Sequence, residues 1–93
     1  MALRFIVREI FPLAGGGAVV AGRVESGTVC EGQPVAFTSS AGRPVQGCVV
    51  TIERAADRAL VPRAAAGEEV RLLLPEVSPS ALAPGTVLEE IVD

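Results

Sequence analysis

Residues 15–35 read GGGAVVAGRVESGTVCEGQPV. Three glycines open an apolar run, Gly22 interrupts it, and Ser26-Gly27 closes it. A glycine run of this kind fits two structures: a loop whose amides cradle a phosphate, or a set of backbone turns. A phosphate loop leads into a helix, whose N-terminus completes the anion site. Here the glycines lead into Ala18-Val19-Val20, and β-branched residues suit a strand. The run therefore reads as a hairpin turn, with glycine supplying the positive φ. Ser26-Gly27 is a second tight turn. Residues 28–30 then form a short strand and residues 31–34 turn again. Gly22, inside a strand, marks a bulge or a close backbone approach.

The flanking segments carry the same period. Leu3, Phe5 and Val7 alternate with Arg4, Ile6 and Arg8, which predicts a strand with one buried face. Pro12 ends it, lacking the amide that a ladder needs. Residues 35–39 read as a strand and residues 40–44 as a loop. Residues 45–53, rich in Val, Thr and Ile, read as one long strand. Residues 54–66 have no helical stripe and contain Pro62, so they read as an irregular excursion. Residues 70–74 form a strand ended by Pro75, residues 78–85 a connection with one helical turn, and residues 86–92 the last strand. Short strands separated by turn signals predict an all-β fold. Closure removes sheet edges, so the expectation is one closed barrel domain spanning residues 1–93.

Composition narrows the function. The chain has 93 residues, 49% of them hydrophobic and only 3% aromatic (Phe5, Phe11 and Phe37), so the core must be built from Val, Leu, Ile and Ala. The net charge is −3, all eight basic residues are arginine, and there is no Lys or His. An acidic chain with few aromatics lacks the electrostatic footprint and stacking surface of a nucleic-acid binder. Without His it also lacks the commonest general base and metal ligand. No nucleophile–base pair, metal cluster or cofactor fingerprint is present, which argues against an enzyme and against any cofactor or metal. Cys30 and Cys48 are too few for a disulfide scaffold and read as ordinary free thiols. Arg4, Arg8 and Glu9 interrupt the N-terminal apolar stretch, which is unlike a signal peptide, and no apolar run is long enough to cross a membrane. A cytoplasmic location is expected.

The order of motifs is specific. Phe5-Ile6-Val7 and Ile10-Phe11 precede a segment, residues 15–27, similar to G-x-G-T-V-V-T-G-R-V-E-x-G. Gly32 to Val35 follows G-x-x-V, residues 49–53 resemble V-x-S-I-E, residues 66–70 resemble A-G-D/E-x-V, and residues 84–88 resemble R-G-x-V-L. Across nearly its whole length the chain resembles domain II of the translational GTPases, the β-barrel that follows the GTPase domain in elongation factor Tu and initiation factor 2, here as a free-standing domain. The resemblance implies a six-stranded, closed Greek-key β-barrel of the translation-protein type. It departs from the family at Gly16, Ala18, Ala21 and Ser26, where polar or basic residues are usual. A G-x-x-x-x-G-K-S/T loop is absent, so nucleotide hydrolysis is not expected.

In the family this barrel packs on the GTPase domain and, in elongation factor Tu, helps hold the aminoacylated end of tRNA near the R-V-E segment. Arg23 and Glu25 map there and are the candidate binding residues. The bland alternative is a solvated face with a weak ion pair. Arg54, Arg58 and Arg63, clustered in residues 54–66, form a second candidate, a loop for an acidic partner or phosphate. Glu31, Glu53, Glu68, Glu69, Glu89 and Glu90 read as surface charge. The function expected is non-enzymatic binding: to a protein, including a separately encoded GTPase domain, or to a small ligand. Self-association as a homodimer, motivated by the high apolar fraction, and contact with aminoacyl-tRNA, motivated by the resemblance, are the alternatives.

Overall fold

In the computed structural model, which describes residues 2–91, the N-terminal alternation becomes β1 (Arg4–Pro12), with Leu3, Phe5 and Val7 buried and Arg4 and Arg8 exposed. The glycine turn feeds β2 (Ala18–Ser26), antiparallel to it. Gly15, Gly16 and Gly17 all have positive φ, and the Gly16 amide donates to the Leu13 carbonyl at 3.1 Å. A Cβ on Gly17 would lie 2.6 Å from the backbone of Pro75, so glycine is required there twice over. The turn is a hairpin, not a helix-capped loop.

Eight further strands follow: β3 (Thr28–Cys30), β4 (Pro34–Thr38), β5 (Pro44–Cys48), β6 (Thr51–Arg54), β7 (Leu60–Val61), β8 (Arg63–Ala65), β9 (Glu69–Leu74) and β10 (Val87–Glu90). Eight of the ten make one sheet in the order β5-β4-β10-β1-β2-β9-β6-β7, and β3 pairs with β8 in a second. The large sheet is curled. β5 is its first strand and β6 its last but one, yet only Val49 and Val50 join them. At roughly 3.3 Å per residue that link spans about 10 Å, whereas six strand spacings of a flat sheet are about 29 Å. The small sheet turns Val29 and Ala64 into the same core. Its strands continue directly from β7 and into β4, so it lies across the seam between the ends of the large sheet.

The expected closed six-stranded barrel is not what forms. The structure is all-β, with a curled half-barrel and a separate two-stranded sheet, and no ladder joins the end strands β5 and β7. The segment expected as one strand over residues 45–53 breaks at Val49-Val50. There the Val49 amide donates to the Gln33 carbonyl (2.9 Å) and the Val50 amide to the Leu73 carbonyl (3.0 Å), so consecutive residues bond to opposite ends of the sheet. Residues 54–66, expected to be irregular, hold β7 and β8. The expected helical turn is the 3-10 segment Pro79–Ala81. The last strand, expected over residues 86–92, spans Val87–Glu90, and Val92 lies outside the described residues.

The core is entirely apolar. Leu3, Phe5, Val7, Val20, Val24, Ile52, Leu72, Leu74 and Leu88 are at most 1% exposed, and among the described residues no polar or charged residue is buried with them. Removal of this surface from water drives the fold, with no buried polar group to offset it.

One backbone conformation is costly. Arg58 has φ 59, the only positive φ outside glycine among the described residues. It lies in the loop between β6 and β7, where the Arg58 amide donates to the Arg54 carbonyl (2.8 Å) and Asp57 Oδ1 accepts from the Ala59 amide (3.1 Å). An L-residue in this region costs roughly 1–2 kcal/mol, part of which glycine recovers. Arg58→Gly is therefore expected to raise stability by about 0.5–1 kcal/mol, read as a melting temperature several degrees higher.

Candidate functional site

Two bulges shape the outer face of β1 and β2. Between Val7 and Glu9 the register slips against β2, leaving Arg8 as the extra residue; between Arg4 and Phe5 it slips again, leaving Glu25 as the extra residue. Bulges re-aim side chains. Arg8 reaches Glu69 on β9 at 2.5 Å, and Glu25 accepts an ion pair from Arg4 at 3.2 Å. The first bulge also shifts the buried phase of β1. Before it Leu3, Phe5 and Val7 face inward; after it Ile10, opposite buried Val20, does so, and Phe11 turns out.

Arg23 lies between these pairs, opposite Ile6 on β1 and Glu69 on β9. It is exposed, and among the described residues no carboxylate pairs with it. Ile6, Arg8, Arg23 and Glu25 line a groove of about 370 Å³. The structure thus brings Arg23 and Glu25 to one groove, although Glu25 pairs with Arg4 and not with Arg23. A free guanidinium beside an apolar side chain, with its neighbours already neutralised, can accept a carboxylate from a partner.

The second candidate set is spread over three elements. Arg54 pairs with Asp57 at 3.1 Å and borders a shallow cavity of about 430 Å³ with Ala55, Gly67 and Glu68. Arg58 sits in the same hairpin without an ion-pair partner among the described residues. Arg63 belongs to the other sheet, opposite Cys30. The three arginines are thus divided between β6 of the large sheet, the loop that follows it and β8 of the small sheet.

Cys30 is exposed and Cys48 half-buried; both are free, and the Cys48 thiol donates to the Gly32 carbonyl at 3.3 Å. Among the described residues no group of three or more Cys, Asp or Glu is placed to hold a metal, and no helix is long and apolar enough to cross a membrane. Glu53 pairs with Arg71 across β6 and β9 at 3.0 Å.

Sequence reasoning missed an apolar row on the outer face. Phe11, Val19, Leu73 and Thr51 are aligned in register across β1, β2, β9 and β6. Their inward neighbours are already buried, so this row faces out. Phe11 is 41% exposed, and Val50, next to Thr51, is 45% exposed. Val19, Leu73 and Thr51 line a depression of about 200 Å³ with the Glu53–Arg71 pair. Leu60, 69% exposed and opposite Glu53, lies one row away. The signal was in the doublets Ile10-Phe11, Val19-Val20, Val49-Val50 and Leu72-Leu73. Consecutive apolar residues in a strand make both faces apolar, which is the pattern of a strand covered on both sides.

The curled sheet, the small seam sheet and the bulged first hairpin together define a translation-factor domain fold. The structure matches translation elongation factor SelB from Methanococcus maripaludis, solved in its apo form, with a TM-score of 0.84 and 22% identity over 97% of this chain. It matches a bacterial selenocysteine-specific elongation factor, EF-Sec, with a TM-score of 0.80 and 30% identity over 96% of this chain. The chain spans only 19% and 14% of those two proteins. No family model matches it.

Proposed function

We propose that this chain is a non-enzymatic docking module whose outer sheet face packs against another protein domain. The observation that carries this reading is the apolar row Phe11–Val19–Leu73, placed on a face that a solvated sheet would keep polar. Arg23 and Glu25 border the same face and supply its polar rim. The resemblance to domain II of the translational GTPases makes a GTPase-type domain the preferred partner. The similarity to a small part of two elongation factors supports a module that works beside other domains.

Phe11 is the residue to change. Phe11→Glu places a charge at the β1 end of the row, on its most exposed apolar side chain. It is expected to weaken binding to a GTPase-domain partner at least about tenfold, as loss of a buried aromatic anchor does. The melting temperature is expected to move by no more than a few degrees, because Phe11 lies outside the core. A second copy of this chain is the competing occupant, and sedimentation of the chain alone distinguishes it. A monomer that binds the partner supports the proposal; a dimer dissolved by Phe11→Glu replaces it with self-association.

A further inference from the structure

A surface cavity lies where the large sheet forks. Among the described residues β10 and β4 pair at two positions, Glu89 with Ala36 and Glu90 with Val35. Beyond them β10 stays with β1: Leu88 is opposite Phe5, Val87 is opposite Ile6, and the Val7 amide donates to the Thr86 carbonyl at 2.9 Å. β4 stays with β5, Phe37 opposite Val45 and Thr38 opposite Pro44. The two strands part, and a cleft of about 610 Å³ opens between them, with Phe37, Thr38, Val87 and Glu89 in its walls.

In antiparallel pairing, alternate residues direct their amide and carbonyl to opposite flanks of the strand. One residue of Phe37-Thr38 and one of Val87-Leu88 therefore turn both groups into the cleft, where neither strand has a ladder partner. Such edges template the addition of another strand. The walls carry Glu89 and Glu90 and no basic residue. Arg4 is opposite Glu89 in register, but its guanidinium goes to Glu25. Glu90 is engaged by the Leu3 amide at 2.7 Å, whereas Glu89 is exposed and has no ion-pair partner among the described residues.

We propose that this fork is a docking slot for an extended, basic segment of a partner polypeptide. The segment adds backbone hydrogen bonds to the free edges, as in strand augmentation, and sets a Lys or Arg against Glu89. Outward-facing Val87 and Ala36 take its apolar side chains. The inference rests on the reading of this chain as a binding module but uses a different surface from the apolar row.

The test titrates the isotopically labelled full chain with an acetylated, amidated peptide of alternating Lys and Val, and with its Glu–Val counterpart. The Lys peptide is expected to shift the amides of Phe37, Thr38, Val87 and Leu88 saturably, and the Glu peptide to bind at least about tenfold more weakly. Glu89→Arg is expected to weaken the Lys peptide about tenfold and Glu89→Gln by a smaller factor, with melting temperatures unchanged because Glu89 is exposed. Phe11→Glu should leave peptide binding intact, which separates this slot from the docking row. Absence of saturable shifts, equal binding of both peptides, or shifts centred on Phe11, Val19 and Leu73 would overturn the proposal.

Discussion

Gly22→Ala is expected to cost about 3 kcal/mol, the upper end of what overpacking usually costs. Gly22 sits in β2 opposite Val7, at the bulge. A Cβ there would lie 2.0 Å from the Ile6 carbonyl oxygen and 3.0 Å from Cζ of Phe5. The oxygen belongs to the backbone of the neighbouring strand, so no rotamer change relieves it. The sheet must open between β1 and β2, the most central hairpin, and the Arg8 bulge must reshape. For a domain of this size a loss of about 3 kcal/mol lowers the melting temperature by roughly 12–24 °C, readable by circular dichroism. A melting temperature within a few degrees of wild type would mean that β1 and β2 do not approach this closely.

Phe5→Ala is expected to cost about 3–5 kcal/mol. Phe5 is fully buried, the largest such side chain, and packs against the face of Gly22. No other aromatic of the core shares its place: Phe37 is on β4 and Phe11 faces outward. The cavity has little means of collapse, because β1 is held on both sides, by β10 and β2. A 93-residue domain has about 5–14 kcal/mol of total stability, so the variant keeps only a fraction of it. Urea unfolding should show a much lower midpoint with an unchanged slope. A shift equivalent to less than about 1 kcal/mol would place Phe5 outside the core.

What could be read from the sequence was what depends on neighbouring residues. The buried face of Leu3, Phe5 and Val7 followed from alternation, and residues 28–30 were bounded by turn residues on both sides. Gly22 announced a bulge or a close approach, and the structure has a close approach there, beside the Arg8 bulge of β1. The features that escaped depend on partners far away in the chain. Val49-Val50 looked like the middle of a strand because both residues are β-branched; that they bond towards opposite ends of the large sheet is a property of its curl. β7 is two residues long, too short to show any period. Arg23 and Glu25 were placed on one face by spacing alone, but Arg4 as the partner of Glu25 required the β1–β2 register. The outer row is likewise a matter of register: each apolar doublet is unremarkable alone, and those of β1, β2 and β9 become a surface only when the three strands align. The division of residues 54–66 between two sheets was equally hidden: Arg54 lies on β6 of the large sheet and Arg63 on β8 of the small one, which closeness in sequence does not show.

The most direct measurement is calorimetric titration of the purified chain with a separately purified translation-factor GTPase domain, repeated with Phe11→Glu and followed by hydrogen–deuterium exchange. The account predicts a saturable complex, weakened at least about tenfold by Phe11→Glu, with new protection at Phe11, Val19, Val50 and Leu73. Binding that Phe11→Glu leaves unchanged, or protection elsewhere with this row still exchanging freely, would contradict it.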